Sequence, residues 1–174
     1  MYQLQIYSNK DGITVVEIMV AIAILTIALG GILALASFSF VSTSLASQTL
    51  QASALAEGTI EALPNYRDGI AWDDDDAGNE YDGLGVLAVG VQYYPEISGD
   101  ALPRWKFIQG VETVGIFERS VVFENVERDA QDTITELGGA VDLNTKKVTA
   151  TVSWEERGRA HSVELVSYFT NWNK

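Results

Sequence analysis

The sequence predicts an α+β fold in which one long N-terminal helix, half of it transmembrane, packs against a C-terminal antiparallel β-sheet. Two observations indicate this fold. An apolar run covers residues 13–41 and continues as a helical pattern to Pro64, whereas the last third of the 174-residue chain alternates apolar and polar residues. The first pattern is typical of a long helix and the second of half-buried strands. Such a helix and sheet each bury the other's apolar face.

Residues 1–12 precede the apolar run and become polar toward their end. We predict that they form a leader that the mature protein lacks. Residues 13–41 are predicted to be a membrane anchor, because about 20 apolar residues suffice to cross a bilayer as a helix. The alternative is a buried core helix, which a run of this length that is apolar on all sides disfavours.

Glu17 is the one charged residue inside this apolar run. A charge within a membrane segment costs at least ~2.5 kcal/mol and usually marks function, with a partner nearby. Lys10 is about two helical turns away, whereas a cut between Gly12 and Ile13 would create a free α-amine at Ile13. Glu17 would then pair with that amine on its own chain or on a neighbour. The alternative is a hydrated carboxylate at the membrane interface.

The helical pattern continues beyond the anchor as a more polar segment with a single apolar stripe. We predict one helix over residues 13–64, roughly 75 Å long at 1.5 Å per residue. Its second half would pack under the head, and Pro64 would end it because proline is unfavourable in a helix interior. Gly30-Gly31 either weakens the helix locally or allows close packing in the membrane. The stripe consists of Leu45, Ala52, Leu55 and Leu63.

Residues 65–174 are predicted to be a globular antiparallel β head. Its first part contains an acidic run that could gather oxygen ligands around Ca²⁺, although most charge runs are solvated loops. A strand is predicted over residues 86–94. The candidate calcium ligands are Asp73, Asp75, Glu80 and Asp82.

The last third of the chain gives the clearest strand patterns. Residues 116–126 and 147–154 alternate with a period of two, and a short helical turn is predicted over residues 129–137. The polar, glycine-containing segment 155–159 is predicted to turn the chain back into a final strand over residues 160–172, which makes a β-hairpin.

Composition limits the classes of function. The net charge of −13 argues against nucleic acid as a partner and against an electrostatic hold on anionic lipid. The absence of cysteine excludes a disulfide, a thiolate metal site and a cysteine nucleophile. His161 is the only histidine and has no nucleophile motif near it, and no phosphate-binding glycine loop or zinc-ligand spacing occurs. We therefore expect a protein that is not an enzyme.

The N-terminal residues resemble the class III signal of type IV pilins and pseudopilins. Gly12 is followed by a hydrophobic residue, Glu17 is the fifth residue after the glycine, and the apolar run is unbroken. A secretory signal peptide lacks the glutamate. The resemblance implies that a prepilin peptidase cuts after Gly12, that the new N-terminus at Ile13 is methylated, and that Glu17 pairs with it across subunits during assembly.

The closing hairpin is similar, more loosely, to that of minor pilins and pseudopilins. The resemblance implies a pilin-like subunit of a type IV pilus or pseudopilus, and specifically a minor pilin or minor pseudopilin. Its partners would be other pilin subunits, through the N-terminal helix, and the assembly platform in the membrane. It would cross the cytoplasmic membrane once, with its head outside, and then enter a surface pilus or a periplasm-spanning pseudopilus. The alternatives are a major pilin and a membrane-tethered extracytoplasmic binding domain with an uncleaved anchor.

Overall fold

The computed structural model describes residues 12–75 and 81–172, which contain one helix and seven strands. The α+β fold predicted from the sequence is confirmed. The helix, α1, comes first and all strands follow it. The elements are α1 (Val15–Gly69), β1 (Gln92–Ile97), β2 (Trp105–Gln109), β3 (Glu112–Val114), β4 (Phe117–Arg128), β5 (Ile134–Thr135), β6 (Ala140–Glu156) and β7 (Arg159–Thr170).

The chain divides into two compact units within α1, the first ending at Leu45 and the second beginning at Ala46. The described part of the first unit is almost entirely exposed. The second unit contains the rest of α1, the sheet and the hydrophobic core.

One face of α1 in the second unit is buried against the sheet. Of the predicted apolar stripe, Ala52 and Leu63 are fully buried, whereas Leu55 is only half-buried. Small residues occupy much of this face, so that the sheet can approach the helix closely. The buried residues of the face are Ala52, Ala56, Thr59, Ala62, Leu63 and Tyr66.

The prediction that the helix ends at Pro64 was wrong, because α1 continues to Gly69. Pro64 has no N–H to donate to the carbonyl of Ile60, which normally disfavours a helix interior. The residues on either side explain why the helix persists. Leu63 and Tyr66 are both buried, and the Tyr66 ring packs edge-to-face on Phe107 at 5.0 Å. Tertiary burial therefore holds the helical turn that proline weakens.

The strands form one antiparallel sheet in the order β2-β1-β4-β6-β7, with β3 and β5 also paired to β4. The strands predicted over 116–126 and 147–154 are confirmed within β4 and β6. The final hairpin is confirmed too, since Glu156 pairs with Arg159 across a two-residue turn. Arg157 and Gly158 both have positive φ, at 53° and 75°, as a type I′ turn requires.

Two other local predictions were wrong. The strand expected over 86–94 begins only at Gln92, and residues 88–91 instead form a turn in which the amide of Ala88 donates to the Tyr93 hydroxyl at 3.1 Å. The helical turn expected over 129–137 is a loop that contains β5. There the backbone amides of Gln131 and Thr133 donate hydrogen bonds to the Asp129 carboxylate, both at 2.9 Å. This side chain therefore takes the place of the backbone carbonyls that would accept these bonds in a helix.

Aromatic rings connect the layers of the core. Phe107 contacts Phe123 at 5.6 Å, and Phe123 contacts Tyr93 at 5.6 Å, in edge-to-face geometry. Together with the Tyr66–Phe107 contact, these link α1 to β1, β2 and β4. Val148 of β6 is buried in the same cluster.

A second packing centre lies nearer the start of the second unit. The indole of Trp154 donates to the Gln48 side chain at 2.9 Å, contacts Phe117, and stacks on His161 at 5.4 Å. His161 is half-buried in β7.

A bulge interrupts the pairing of β4 with β6 between Asn125 and Val126. Next to it, the Asp142 carboxylate accepts Nε of Arg128 at 2.7 Å, the Thr145 hydroxyl at 2.6 Å and the Asn144 amide at 2.9 Å. Burial raises the pKa of Asp142, but these hydrogen bonds outweigh burial and lower the pKa to about 2. The network thus joins β4 to the residues of β6 that bulge.

Candidate assembly site at the N-terminus

Thr14 starts the helix that carries the candidate site. Its hydroxyl accepts the amide of Glu17 at 3.3 Å, and its carbonyl accepts the amide of Ile18 at 3.3 Å. Thr14 is thus the N-cap and Glu17 is the third helical residue. This Thr-x-x-Glu spacing is the capping-box pattern, a signal present in the sequence that the reasoning from the sequence missed.

The structure places Gly12, Ile13 and Glu17 in one short exposed segment. Gly12 and Ile13 precede α1, so the peptide bond between them lies in non-helical, accessible backbone. Glu17 lies in the first turn of α1, where a negative charge is favoured by the helix dipole. The described residues give its carboxylate no ion pair, and Lys10 lies outside them.

The apolar segment that follows is exposed on every side. Ile13, Leu25 and Phe38 are 72%, 62% and 72% exposed. Thr26 donates its hydroxyl to the carbonyl of Ile22 at 2.8 Å. This bond satisfies the hydroxyl inside the helix, as a low-dielectric surrounding requires.

Within the described residues, α1 is long and apolar enough to cross a membrane. Gly30 and Gly31 lie in the middle of its apolar part, where α1 is unbroken. A Cβ at either position would meet no atom within 4 Å. The small surface at these glycines is therefore free for close contact with another helix.

Comparison with protein-family models matches residues 7–33 to the prokaryotic N-terminal methylation motif. The chain carries the class III signal of type IV pilins. The matched residues include Gly12, Ile13 and Glu17 and reach into the apolar run. No curated protein and no solved structure matches the chain. The motif and the long apolar helix that follows it thus support the resemblance that the sequence suggested.

The candidate calcium loop is only partly described. Two backbone hydrogen bonds join the two ends of this loop. The amide of Gly83 donates to the carbonyl of Asp74 at 2.7 Å, and the amide of Gly85 donates to the carbonyl of Trp72 at 2.8 Å. A Cβ at Gly85 would lie 2.3 Å from the indole of Trp72, so glycine is needed for this close approach. The Tyr66 hydroxyl also donates to the carbonyl of Asp82.

Asp73, Asp75 and Asp82 lie on this loop, whereas Glu80 lies outside the described residues. Among the residues that are described, no three acidic or histidine side chains are arranged to hold a metal ion. Calcium binding by this loop stays a prediction.

Proposed function

We propose that the chain is a structural subunit of a type IV pilus or a related pseudopilus. It is held in the cytoplasmic membrane by residues 13–41, cut after Gly12, and assembled through its N-terminal helix. The observation that carries the proposal is the methylation motif at the start of an apolar segment, residues 13–40, whose side chains are exposed. The combination supports a segment that passes from lipid into contacts with other helices.

The apolar surface of residues 13–41 cannot stay exposed to water. A fully exposed Leu, Ile or Phe side chain gains about 1.5–3 kcal/mol when it is removed from water, so this segment must be covered by lipid or by protein. In a bundle of such helices, lipid contacts are replaced by helix contacts, and apolar burial alone favours no particular register.

Glu17 supplies that register. In a helix bundle that excludes water, its carboxylate needs a cation, and the α-amine of a processed Ile13 is the nearest group that a neighbouring subunit offers. Breaking a buried ion pair by removing one partner costs about 3–5 kcal/mol. Only a subunit at the correct axial offset therefore satisfies the charge, which makes Glu17 an assembly residue.

The head supports a non-catalytic role as a minor pilin or minor pseudopilin. Its single histidine is stacked on Trp154. Strand β7 lies at the edge of the sheet, and the β6–β7 hairpin resembles those of minor subunits. The head would stand outside the cytoplasm, on a pilus or a pseudopilus.

Intact mass and N-terminal sequencing of the chain extracted from native membranes test the proposal. We expect a chain that begins at Ile13 and carries one additional methyl group, and the same chain in sheared filaments. A variant with Gly12 replaced by a bulkier residue is the control, since it should keep residues 1–12 and stay in the membrane. A native chain that keeps residues 1–12 in cells containing the peptidase would favour the membrane-tethered binding domain instead.

A further inference from the structure

A cavity of about 350 Å³ lies where the end of α1 meets the end of β7. Its lining comes from the last turn of α1, from the residues that directly follow this helix, and from two residues that follow β7. The volume is within the range of small-molecule sites in proteins. The side chains that give the cavity its chemical character are Arg67, Asp68, Trp72, Asn171 and Trp172.

Trp172 differs from the other three tryptophans of the chain because its ring is exposed. The other three are buried or half-buried, whereas Trp172 is 67% exposed. The ring is nevertheless held in place, since its indole N–H donates to Oδ1 of Asp68 at 3.2 Å. An aromatic face that is already fixed loses little side-chain entropy when a ligand packs on it.

Asp68 connects this ring to α1. The carboxylate oxygen that accepts the indole also accepts Nε of Arg67 at 2.8 Å. These hydrogen bonds, first that of Arg67 and then that of Trp172, lower the pKa of Asp68. The carboxylate is therefore ionised at neutral pH, and among the described residues its second oxygen has no donor.

Two further hydrogen bonds hold the walls of the cavity in place. The indole of Trp72 donates to the carbonyl of Leu143 at 3.0 Å, and the amide of Asn171 donates to the carbonyl of Asn144 at 2.8 Å. Leu143 and Asn144 both belong to β6, so the two sides of the cavity are tied to the same strand. The site is thus formed before a ligand arrives, as specific binding requires.

The combination of groups fits a sugar ring. A pyranose has an apolar face of C–H groups, which packs on an aromatic ring, and a rim of hydroxyls that donate and accept hydrogen bonds. Carboxylate, guanidinium and carboxamide groups each present two polar atoms in one plane, which suits two neighbouring hydroxyls. Asp68 can accept, Arg67 can donate and Asn171 can do both. A purely apolar ligand would leave these groups unpaired, which is costly.

Charge selects among sugars. Arg67 and Asp68 neutralise each other inside the cavity, and Asp73 adds a negative charge to the lining. The whole chain carries a net charge of −13. An anionic sugar or a nucleotide would therefore be repelled by the field of the protein, whereas a neutral sugar would not.

We propose that this cavity binds a neutral pyranose, whose ring stacks on Trp172 and whose adjacent hydroxyls pair with Asp68 and Arg67. The proposal goes beyond the function proposed above, because it gives the head a ligand whichever assembly the chain enters. Free oligosaccharides and surface polysaccharides both present such a ring, and the length of the probe distinguishes these two sources.

Binding is measured on the full-length chain in a zwitterionic detergent, since detergents with sugar head groups would compete. The probes are methyl β-glucopyranoside, methyl β-galactopyranoside and N-acetylglucosamine, followed by saturation-transfer NMR and by tryptophan fluorescence. We expect a dissociation constant on the order of 1 mM for at least one of them. Equal affinity for longer oligosaccharides of that sugar indicates recognition of a terminal ring, whereas affinity that rises with length indicates a polysaccharide.

Matched variants assign the binding to the cavity. Trp172→Ala and Asp68→Ala should each weaken it at least about tenfold, and Trp172→Phe, which keeps an aromatic face, should weaken it less. Tyr168→Ala is the control, because Tyr168 is another exposed aromatic residue of β7, at 47%, but does not line the cavity. It should bind like the native chain. Urea unfolding of each variant shows that the head is folded, and the Phe variant keeps the test decisive if an Ala variant is not.

Three results would overturn the inference. They are the absence of binding to every probe, an equal loss of binding in Tyr168→Ala and Trp172→Ala, and tighter binding of methyl glucuronide than of the neutral glycosides. Each would leave the proposed function standing, because that function is tested by the N-terminus and by filament content. A chain that binds the sugar but keeps residues 1–12 would support this inference and overturn the proposed function.

Discussion

Replacing Glu17 with Gln separates its role in one subunit from its role in the assembly. In the single subunit the carboxylate is exposed in the first turn of α1, so losing the charge removes its interaction with the helix dipole, about 0.3–1 kcal/mol, and also removes the cost of a charge in the membrane segment. In the proposed filament the same change removes one partner of a buried pair, at about 3–5 kcal/mol. At 1.4 kcal/mol per factor of ten, this is roughly a hundredfold to several thousandfold in assembly. We expect Glu17→Gln to fold, insert and be processed, but to be missing from filaments.

The assay compares the amount of the chain in sheared filaments with the amount in membranes, and checks the N-terminus by mass. Thr14→Ala is the matched control, because it removes the helix cap at a cost of about 1 kcal/mol but keeps the Glu17 charge. It should still enter filaments. The reasoning is refuted if Glu17→Gln enters filaments at the native level, or if Thr14→Ala is lost equally, which would make the helix cap the cause.

Three further predictions concern the head and are measured on the full-length chain in detergent. Pro64→Ala should raise the free energy of unfolding of the head by up to about 3 kcal/mol, because alanine restores a hydrogen-bond donor to the Ile60 carbonyl. An unchanged midpoint of urea unfolding would contradict this. Asp142→Asn should cost about 1–2 kcal/mol at pH 7, after allowance for solvent screening. Because the folded pKa of about 2 lies below the unfolded value near 3.9, this stability is present above pH 4 and about half lost by pH 3; a pH-independent difference would refute it. Calcium should raise the melting temperature of the native chain but not that of a variant with Asn or Gln at the proposed ligands. Equal increases in melting temperature would exclude the loop as a calcium site. The proposed ligands are Asp73, Asp75, Glu80 and Asp82.

Elements whose pattern is local could be predicted from the sequence. The apolar run needs no partner to be recognised as a helix, and the alternation of β6 shows directly which residues face the core. The hairpin turn is also local, since Gly158 supplies the positive φ that the turn requires. At the candidate site, the spacing of Gly12 and Glu17 was sufficient to suggest the signal that the family comparison supports.

Elements that depend on distant packing could not be predicted in the same way. Pro64 is a helix breaker by local rules, and only the burial of Tyr66 against Phe107 shows why the helix continues. The bulge in β6 is accompanied by a contact between Asp142 and Arg128, which comes from another strand. The proposed calcium ligands are a further case, because acidic residues close in sequence gather around an ion only if the loop directs their oxygens inward.

Glu17 carries a cost in the single subunit that contacts within it do not remove. It places a charge in an apolar segment, and its carboxylate has no ion pair among the described residues. In the proposed filament, the carboxylate gains its partner from a neighbour at a defined offset. Apolar side chains gain little when they exchange lipid for other helices, so they keep the segment out of water but do not set its axial position. The buried charge then penalises a subunit that inserts at the wrong level.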